Sequence, residues 1–267
     1  MWSFAKRSRQ MSLSNAELKG TIIERTAEVQ NLSQRLLKVQ DEERRRLARD
    51  LHDTTAQTLA ALKMSVALLQ EDCKQCPSAL RSAASEVVAL ADQAINEIRT
   101  MSYLLHPPLL DEAGFRCAAE WYVQGFSKRS GIDMTFDFPT EYQRLPIAIE
   151  IALFRILQES LTNVHRHSKA KQARVRYMRE REYVILEIRD FGCGISPERL
   201  AGLREVNGET GVGLAGMHER LNELNGKLEL ESDGHGTNLR AIVPVPITMP
   251  YLQARDCSPV SQYASAD

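Results

Sequence analysis

The chain lacks a long apolar run and an apolar N-terminal core. A helix that crosses a membrane needs roughly 20 consecutive apolar residues, and no stretch of this sequence approaches that length. The N-terminal residues Met1-Trp-Ser-Phe-Ala-Lys do not have the apolar centre of a secretory signal peptide. We therefore expect a soluble, cytoplasmic chain, with any membrane or sensory portion lying outside this sequence.

The chain also lacks an excess of charge of either sign. Its net charge is −1, with 26% of residues charged and 43% hydrophobic, a balance typical of a soluble globular protein. Because no basic excess is present, direct binding to nucleic acid is not expected. A length of 267 residues is enough for one large or two ordinary domains.

Glycine and proline are absent between Gly20 and Pro77, so one helix can occupy almost the whole interval. Apolar residues recur every three or four positions over residues 14–40, the spacing of an imperfect coiled-coil seam. A second amphipathic helix follows Pro77 and stops at His106-Pro-Pro. Two such helices cannot bury both apolar stripes alone, so we expect a homodimer with a four-helix bundle.

After this helical half the pattern changes to mixed helices and short strands. Alternating apolar and polar residues predict strands near residues 131–139, 173–179, 183–189, 227–231 and 238–243. Helices are predicted between several of these strands. The second half is therefore expected to be an α+β two-layer sandwich. Residues 247–267 contain no convincing element and are expected to form a disordered tail.

One helical segment has an unusual composition. A charged run that begins at Asp41 leads to His52, which stands between Asp50 and Asp53. On an α-helix, Asp53 and Gln57 are four residues apart and share a face. Taken alone, a solvated charged face with an incidental histidine explains this segment equally well.

Another helix carries two oxygen-bearing side chains along one edge. In Gln158-Glu-Ser-Leu-Thr-Asn163, Glu159 and Asn163 are four residues apart. Carboxylate and amide oxygens suit Mg²⁺, which usually binds one or two protein groups together with phosphate and water. Taken alone, the pair is better explained as a solvated helix edge.

Two glycine-rich segments follow. In Asp190-Phe-Gly-Cys-Gly194, a carboxylate at a strand end can accept a hydrogen bond from an exocyclic amine, and glycines allow a flat ring to approach the backbone. Gly211-Val-Gly-Leu-Ala-Gly216 precedes a helix, whose N-terminal N–H groups favour anions. It is neither the dinucleotide fingerprint nor the P-loop, and the first segment also looks like an ordinary turn.

The order and spacing of these segments resemble the ATP-binding domain of the GHKL superfamily, shared by histidine kinases, Hsp90, gyrase B and MutL. The resemblance implies a Bergerat-type sandwich that binds ATP and Mg²⁺, with Asn163 holding the metal with help from Glu159. It also implies a set of nucleotide-binding residues: Asp190 for the adenine amino group, Gly192 and Gly194 beside the base, Gly211 and Gly213 at the phosphates with Gly216 in the same motif, Thr237 on the adenine side and Arg166 toward phosphate.

The segment from Glu43 to Gln57 resembles the H box of NarX/DesK-like two-component sensor kinases. This resemblance implies that His52 is the phosphoacceptor, that Asp53 is the base that activates it, and that Gln57 positions a water for dephosphorylating the partner regulator. The chemistry suits these residue types, because a neutral imidazole is a competent nucleophile and a carboxylate can accept its proton.

The sequence thus predicts a sensor histidine kinase core that phosphorylates His52 with Mg-ATP and passes the phosphoryl group to an aspartate of a response regulator. By family analogy that regulator has a helix-turn-helix output domain. The expected domains are a basic segment and coiled-coil signalling helix (1–40), a dimerisation and phosphotransfer hairpin (41–108), an ATP-binding domain (109–246) and the tail (247–267). Two alternatives stay open: another ATPase or serine kinase of the superfamily, and a dimeric scaffold that transfers no phosphate.

Overall fold

A computed structural model describes residues 2–72, 77–139, 142–180, 182–204 and 212–245. Contacts divide the chain into two compact units, Met1–Asp41 and Glu42–Asp267. Two predictions of the sequence, a phosphate contact at Gly211 and a disordered tail over residues 247–267, lie outside the described residues.

The helical half comprises α1 (Trp2–Asp50), a first π turn (Leu51–Ala56), α2 (Gln57–Asp72) and α3 (Ser78–Leu105). The second half comprises α4 (Pro108–Glu112), α5 (Phe115–Ser130), β1 (Asp133–Asp137), α6 (Ile147–Asn163), a second π turn (Val164–Ser168), β2 (Gln172–Glu180), β3 (Tyr183–Asp190), α7 (Pro197–Arg204), α8 (Val212–Glu223), β4 (Lys227–Asp233) and β5 (Gly236–Pro244). The predicted fold class, a helical hairpin followed by an α+β domain, is confirmed. Among the described residues, no helix is both long and apolar enough to cross a membrane.

Helix α1 includes the basic N-terminal residues, which show no pattern in the sequence but are helical from Trp2 onward. The apolar side chains of its seam are between 58% and 66% exposed: Val29, Leu32, Leu36 and Val39. An exposed apolar stripe at this spacing is typical of a helix that pairs with another helix.

Helices α2 and α3 form an antiparallel hairpin that continues from the end of α1. The Lys63 ammonium lies 2.6 Å from the Asp92 carboxylate, and the buried Ser102 hydroxyl donates to the Ala48 carbonyl at 2.8 Å. Lys63 contacts Asp92, whereas Ala48, earlier in the chain, contacts Ser102, later in α3. The two helical arms therefore run in opposite directions.

The hairpin leaves many of its large apolar side chains exposed, although Ala91 and Ile95 of α3 are buried. Large residues that stay exposed on it include Leu62, Met64, Leu68, Leu69, Leu80, Val87, Leu90 and Met101. Large apolar side chains exposed in this way on a helix pair are expected to be covered by other helices.

The second half is built on one five-stranded sheet with strand order β1-β2-β3-β5-β4. Strand β1 is parallel to β2, and the other neighbours are antiparallel. Along β2, Ala173, Val175 and Tyr177 are buried while the residues between them are half-buried. This alternation with period two places one face of the sheet on the core.

Helices α5, α6 and α8 cover that face of the sheet. In α6, Leu153, Leu157 and Leu161 recur at four-residue spacing and are fully buried, as a helix with one apolar face requires. Burial of each such side chain contributes about 1.5–3 kcal/mol relative to exposure. The helix that carries Glu159 and Asn163 is therefore fixed in place by the core.

A row of alternating charges crosses the outer face of the sheet. In register order it consists of Asp137, Arg176, Glu187, Arg240 and Glu229. Arg176 Nε lies 2.8 Å from a carboxylate oxygen of Asp137, and Arg240 Nη1 lies 3.3 Å from one of Glu229. Opposite charges on directly paired positions favour this register by a few tenths of a kcal/mol per pair.

A buried ion pair joins the connection between the two halves to helix α6. Glu150 is fully buried and accepts hydrogen bonds from Arg144 Nη2 at 2.9 Å, Tyr142 at 3.2 Å and the Leu145 N–H at 3.1 Å. Arg144 also donates to the Leu110 carbonyl in α4 at 3.1 Å. Helix α4 is thus held by α6 and the segment before it.

Polar contacts connect this α4 segment and α6 to the hairpin. Asp111 accepts hydrogen bonds from Arg45 at 3.0 Å and lies 3.3 Å from buried His106. Burial raises the pKa of Asp111, but the hydrogen bond and charge of His106, with those of Arg45, outweigh burial and lower it overall. Gln158 of α6 also donates to the Leu104 carbonyl of α3 at 2.8 Å.

We expect Glu150→Gln to destabilise the protein by about 3 kcal/mol, because it leaves Arg144 without its charged partner in a buried site. Asp137→Asn, which removes one exposed charge of the outer row, should cost less than about 1 kcal/mol. Urea unfolding of both variants against the wild type measures the difference. An equal loss of unfolding free energy in the two variants would show that the buried ion pair stabilises the protein no more than an exposed one.

Candidate functional site

The best-defined candidate site surrounds Asp190 at the end of β3. The alternation of this strand places Asp190 on the buried side with Leu186 and Ile188, and its side chain is 4% exposed. The Gly192 N–H donates to Oδ1 at 2.9 Å. Burial raises the pKa of Asp190, while hydrogen bonds from Gly192 and Thr237 lower it, and the net change is a rise.

Backbone segments approach each other closely around this carboxylate. A Cβ at Gly192 would overlap the Ser168 carbonyl, one at Gly194 the Asp233 carbonyl, and one at Gly236 the carbonyl of Asp190 itself. Gly194 and Gly236 also have φ of +68° and +139°, which favour glycine. Both predicted glycines of the Asp190 loop are thus required by the local geometry.

Ser232, which the sequence patterns did not indicate, lies between these segments. Its hydroxyl accepts a hydrogen bond from the Ile195 N–H at 2.8 Å and donates to the Gly236 carbonyl at 2.8 Å. It is also 3.2 Å from the Thr237 hydroxyl. This residue therefore connects the loop that follows Asp190 with the turn that precedes Thr237.

Glu159 and Asn163 lie half-buried near the end of α6. A Cβ at Gly213 would overlap the Glu159 carboxylate, so the start of α8 lies directly against this side chain. No cluster of three or more His, Cys, Asp or Glu residues suited to a metal occurs among the described residues. Two oxygen donors fit a Mg²⁺ ion that takes its other ligands from phosphate and water.

The second π turn joins the end of α6 to the Asp190 loop. The Cys193 N–H donates to the Ser168 carbonyl at 2.8 Å, and Ser168 follows Asn163 by one wide turn. Arg166 is exposed in this turn. The predicted residues of α6, the Asp190 loop, the start of α8 and Thr237 are therefore parts of one connected region.

Gly216 differs from the other predicted glycines. No atom lies within 4 Å of the position that a Cβ would take. The structure gives no steric reason for glycine at this position of α8.

The H-box segment lies on the hairpin and is not part of this region. Asp53 and Gln57 are exposed there. The expected continuous α-helix is wrong at this point, because Leu51–Ala56 is a π turn. In a π turn the hydrogen-bonded ring closes five residues on instead of four, and the Gln57 N–H that follows this turn donates to the Thr54 carbonyl.

Models of known protein families match both halves of the chain. A model described as "Histidine kinase" matches residues 43–110. A model described as "Histidine kinase-, DNA gyrase B-, and HSP90-like ATPase" matches residues 148–247.

Two relatives are similar over most of this chain. The sensor histidine kinase MctS of Rhizobium johnstonii is 31% identical over 220 residues, which cover 82% of this chain and 47% of MctS. The signal transduction histidine-protein kinase/phosphatase DegS of Brevibacillus brevis is 30% identical over 232 residues, 86% of this chain and 58% of DegS. This chain thus spans about half the length of the curated relatives it matches.

Among solved structures, the histidine kinase domain of the Erythrobacter litoralis EL346 blue-light activated histidine kinase is similar at a TM-score of 0.46 and 15% identity. The match covers 71% of this chain and 94% of that domain. This similarity is too low to bear on the function.

The two glycines Gly194 and Gly216 should respond oppositely to a methyl group. Gly194→Ala should destabilise by about 2 kcal/mol, because a Cβ meets a backbone carbonyl at a positive φ. Gly216→Ala should stabilise by about 0.5–1 kcal/mol, because alanine is the better helix former in open space. Thermal unfolding of both variants tests this, and a stable Gly194→Ala variant would contradict the close approach of the two segments.

Proposed function

This chain belongs to the histidine kinase family, in its NarX/DesK-like subfamily, and we propose that it is the kinase core of a two-component system. In this proposal the second half binds ATP, and the γ-phosphoryl group passes to His52 on the hairpin. The observation that carries the proposal is the combination, in one chain, of a buried carboxylate framed by glycines and an exposed H-box helix.

The contacts around Asp190 support adenine recognition. The carboxylate accepts hydrogen bonds from the Gly192 N–H and from Thr237. Its two oxygens offer about four lone-pair sites, so an acceptor site is left for the exocyclic amine of adenine. Because the carboxylate is buried, a nucleotide that lacks this donor leaves an acceptor without a partner, which is costly. Thr237 lies on the same side and steadies the carboxylate through its own hydrogen bonds.

The edge of α6 supports binding of the phosphates. Glu159 and Asn163 would hold Mg²⁺, with the exposed Arg166 one turn on available to phosphate oxygens. When bound, the ion neutralises charge on the transferring phosphate. The start of α8 faces Glu159, and its backbone N–H groups suit the remaining phosphate oxygens.

The transfer step needs a nucleophile and a proton acceptor. A ring nitrogen of His52 forms the N–P bond while the bond between the γ-phosphorus and the bridging oxygen breaks, which releases ADP. The proton of the other ring nitrogen passes to Asp53, whose carboxylate is the base. A phosphoramidate is a reactive donor, so an aspartate of a response regulator can take the phosphoryl group from it.

The exposed apolar surface of the hairpin supports a homodimer. Two copies would cover the large apolar side chains that α2 and α3 leave exposed, and the seam of α1 would extend the pairing as a coiled coil. The exposed Asp53 and Gln57 then face a receiver domain that docks on the bundle, whose output domain we expect to be of the helix-turn-helix type.

Asp190→Asn should weaken ATP binding by about 10- to 100-fold, because an amide replaces the buried charged acceptor. Autophosphorylation at subsaturating ATP should fall in proportion. Asp137→Asn is the matched control, since it removes an exposed carboxylate at the end of another strand. Calorimetric titration with ATP measures the affinities, and wild-type affinity in Asp190→Asn would refute adenine recognition by this residue.

Gln57→Ala should retain autophosphorylation but slow dephosphorylation of the phosphorylated regulator by about 10-fold or more, because no amide remains to orient the attacking water. Gln93→Ala removes another exposed glutamine from the hairpin and serves as the control. The loss of phosphoryl label from the regulator is followed over time. An unchanged rate in Gln57→Ala would remove this role.

A further inference from the structure

We propose that Ser232 is a positioning residue for adenine recognition. Its hydroxyl braces the loop after Asp190 against the turn before Thr237, and so holds the two walls of the adenine site at a fixed separation. This inference rests on the proposed binding of ATP. It adds a residue that does not touch the nucleotide but acts through Asp190 and Thr237.

The Ser232 hydroxyl both accepts and donates a hydrogen bond at this site. It accepts from the Ile195 N–H, on the loop after Asp190, and donates to the Gly236 carbonyl, on the β4–β5 turn. Both bonds are 2.8 Å long. Ser232 thus binds the loop after Asp190 at a residue 37 positions before it and binds the turn beside its own strand.

The backbone approach at this junction is close, and hydrogen bonds from Thr237 to Asp190 also cross it. Where they meet, Gly194 lies against the Asp233 carbonyl and Gly236 against the Asp190 carbonyl, with no space for a side chain at either glycine. Glycine provides no side-chain contacts and imposes the least restriction on the backbone. The Ser232 hydroxyl, which satisfies one N–H and one carbonyl there, adds a side-chain contact that the glycines do not provide.

The protons of the two hydroxyl groups connect Ser232 to Asp190. Ser232 has one proton, which it donates to the Gly236 carbonyl. The Thr237 hydroxyl lies 3.2 Å from that of Ser232, a contact in which either oxygen can be the donor, and Thr237 also hydrogen-bonds to Asp190. The Ser232 oxygen thus restricts the orientation of the Thr237 hydroxyl, which in turn helps to orient the carboxylate.

Loss of the Ser232 hydroxyl should therefore affect one part of the nucleotide. If Asp190 and Thr237 are less well held, the hydrogen bond to the adenine amino group weakens, while contacts to the ribose and phosphates are retained. The affinity ratio between ADP and a purine nucleotide diphosphate without the 6-amino group measures this directly. A general loss of stability would lower both affinities together.

The test compares Ser232→Ala with Ser130→Ala in the full chain. Ser130, at the end of α5, is a matched control because its hydroxyl also donates to a carbonyl, that of Phe126, and accepts an N–H, that of Ile132. Calorimetric titrations with ADP and with the analogue give the ratio for each variant. We expect Ser232→Ala to bind ADP about tenfold more weakly, with much less change for the analogue, and Ser130→Ala to keep the wild-type ratio.

A third variant, Ser232→Thr, keeps the hydroxyl and should keep a ratio within about twofold of the wild type. The proposal is overturned if Ser232→Ala binds ADP as the wild type does, if it loses affinity for both nucleotides equally, or if Ser232→Thr shows the ratio of Ser232→Ala. Failure of the wild type to bind ADP would instead overturn the ATP-binding function itself.

Discussion

The ATP-binding half depends on a close approach of backbone segments around one buried carboxylate. At Gly192, Gly194 and Gly236 the neighbouring carbonyls occupy the space that any side chain would need. The approach has two consequences: Asp190 is excluded from water, and its hydrogen bonds come from groups whose positions are fixed by the backbone. A site of this kind distinguishes ligands by their donors, because an unmatched buried acceptor is costly.

The residues that form this site were predictable where the chemistry lies within a few consecutive positions. Asp190 and its two glycines are such a case, since a carboxylate at a strand end followed by glycines is visible in the sequence itself. The alternation of β2 and β3 and the four-residue spacing in α6 likewise predicted the sheet and the buried helix face. The strand order and the parallel pairing of β1 were not predicted, because they depend on which segments meet in three dimensions.

Ser232 and Glu150 show why other residues of the structure could not be predicted from the sequence. Ser232 binds the Ile195 N–H 37 positions away, and Glu150 binds an arginine that also reaches the Leu110 carbonyl 34 positions before it. A single serine or glutamate carries no pattern that reveals a distant partner. The first π turn was missed for another reason: hydrophobic spacing does not determine whether one helical turn closes after four residues or five.

The contacts of Asp111 and Gln158 suggest how the two halves act together. The short connection between them is held on one side by Arg144 and on the other by Arg45 and the end of α3. A change in hairpin packing therefore reaches the second half through these polar contacts and through the buried Tyr103 of α3, whose ring packs on Trp121 of α5. The polar contacts are individually weak.

In the proposed reaction, the γ-phosphoryl group of ATP is transferred to His52. The most direct measurement is to incubate the full chain with γ-labelled ATP and Mg²⁺, digest it under alkaline conditions and locate the phosphorylated peptide by mass spectrometry. Phosphorylation of His52 should give a label that is stable to base and labile to acid. The label should lie on the peptide that contains His52, and the His52→Gln variant should carry no label. An acid-stable label on a serine or threonine, or a label that persists in His52→Gln, would contradict it.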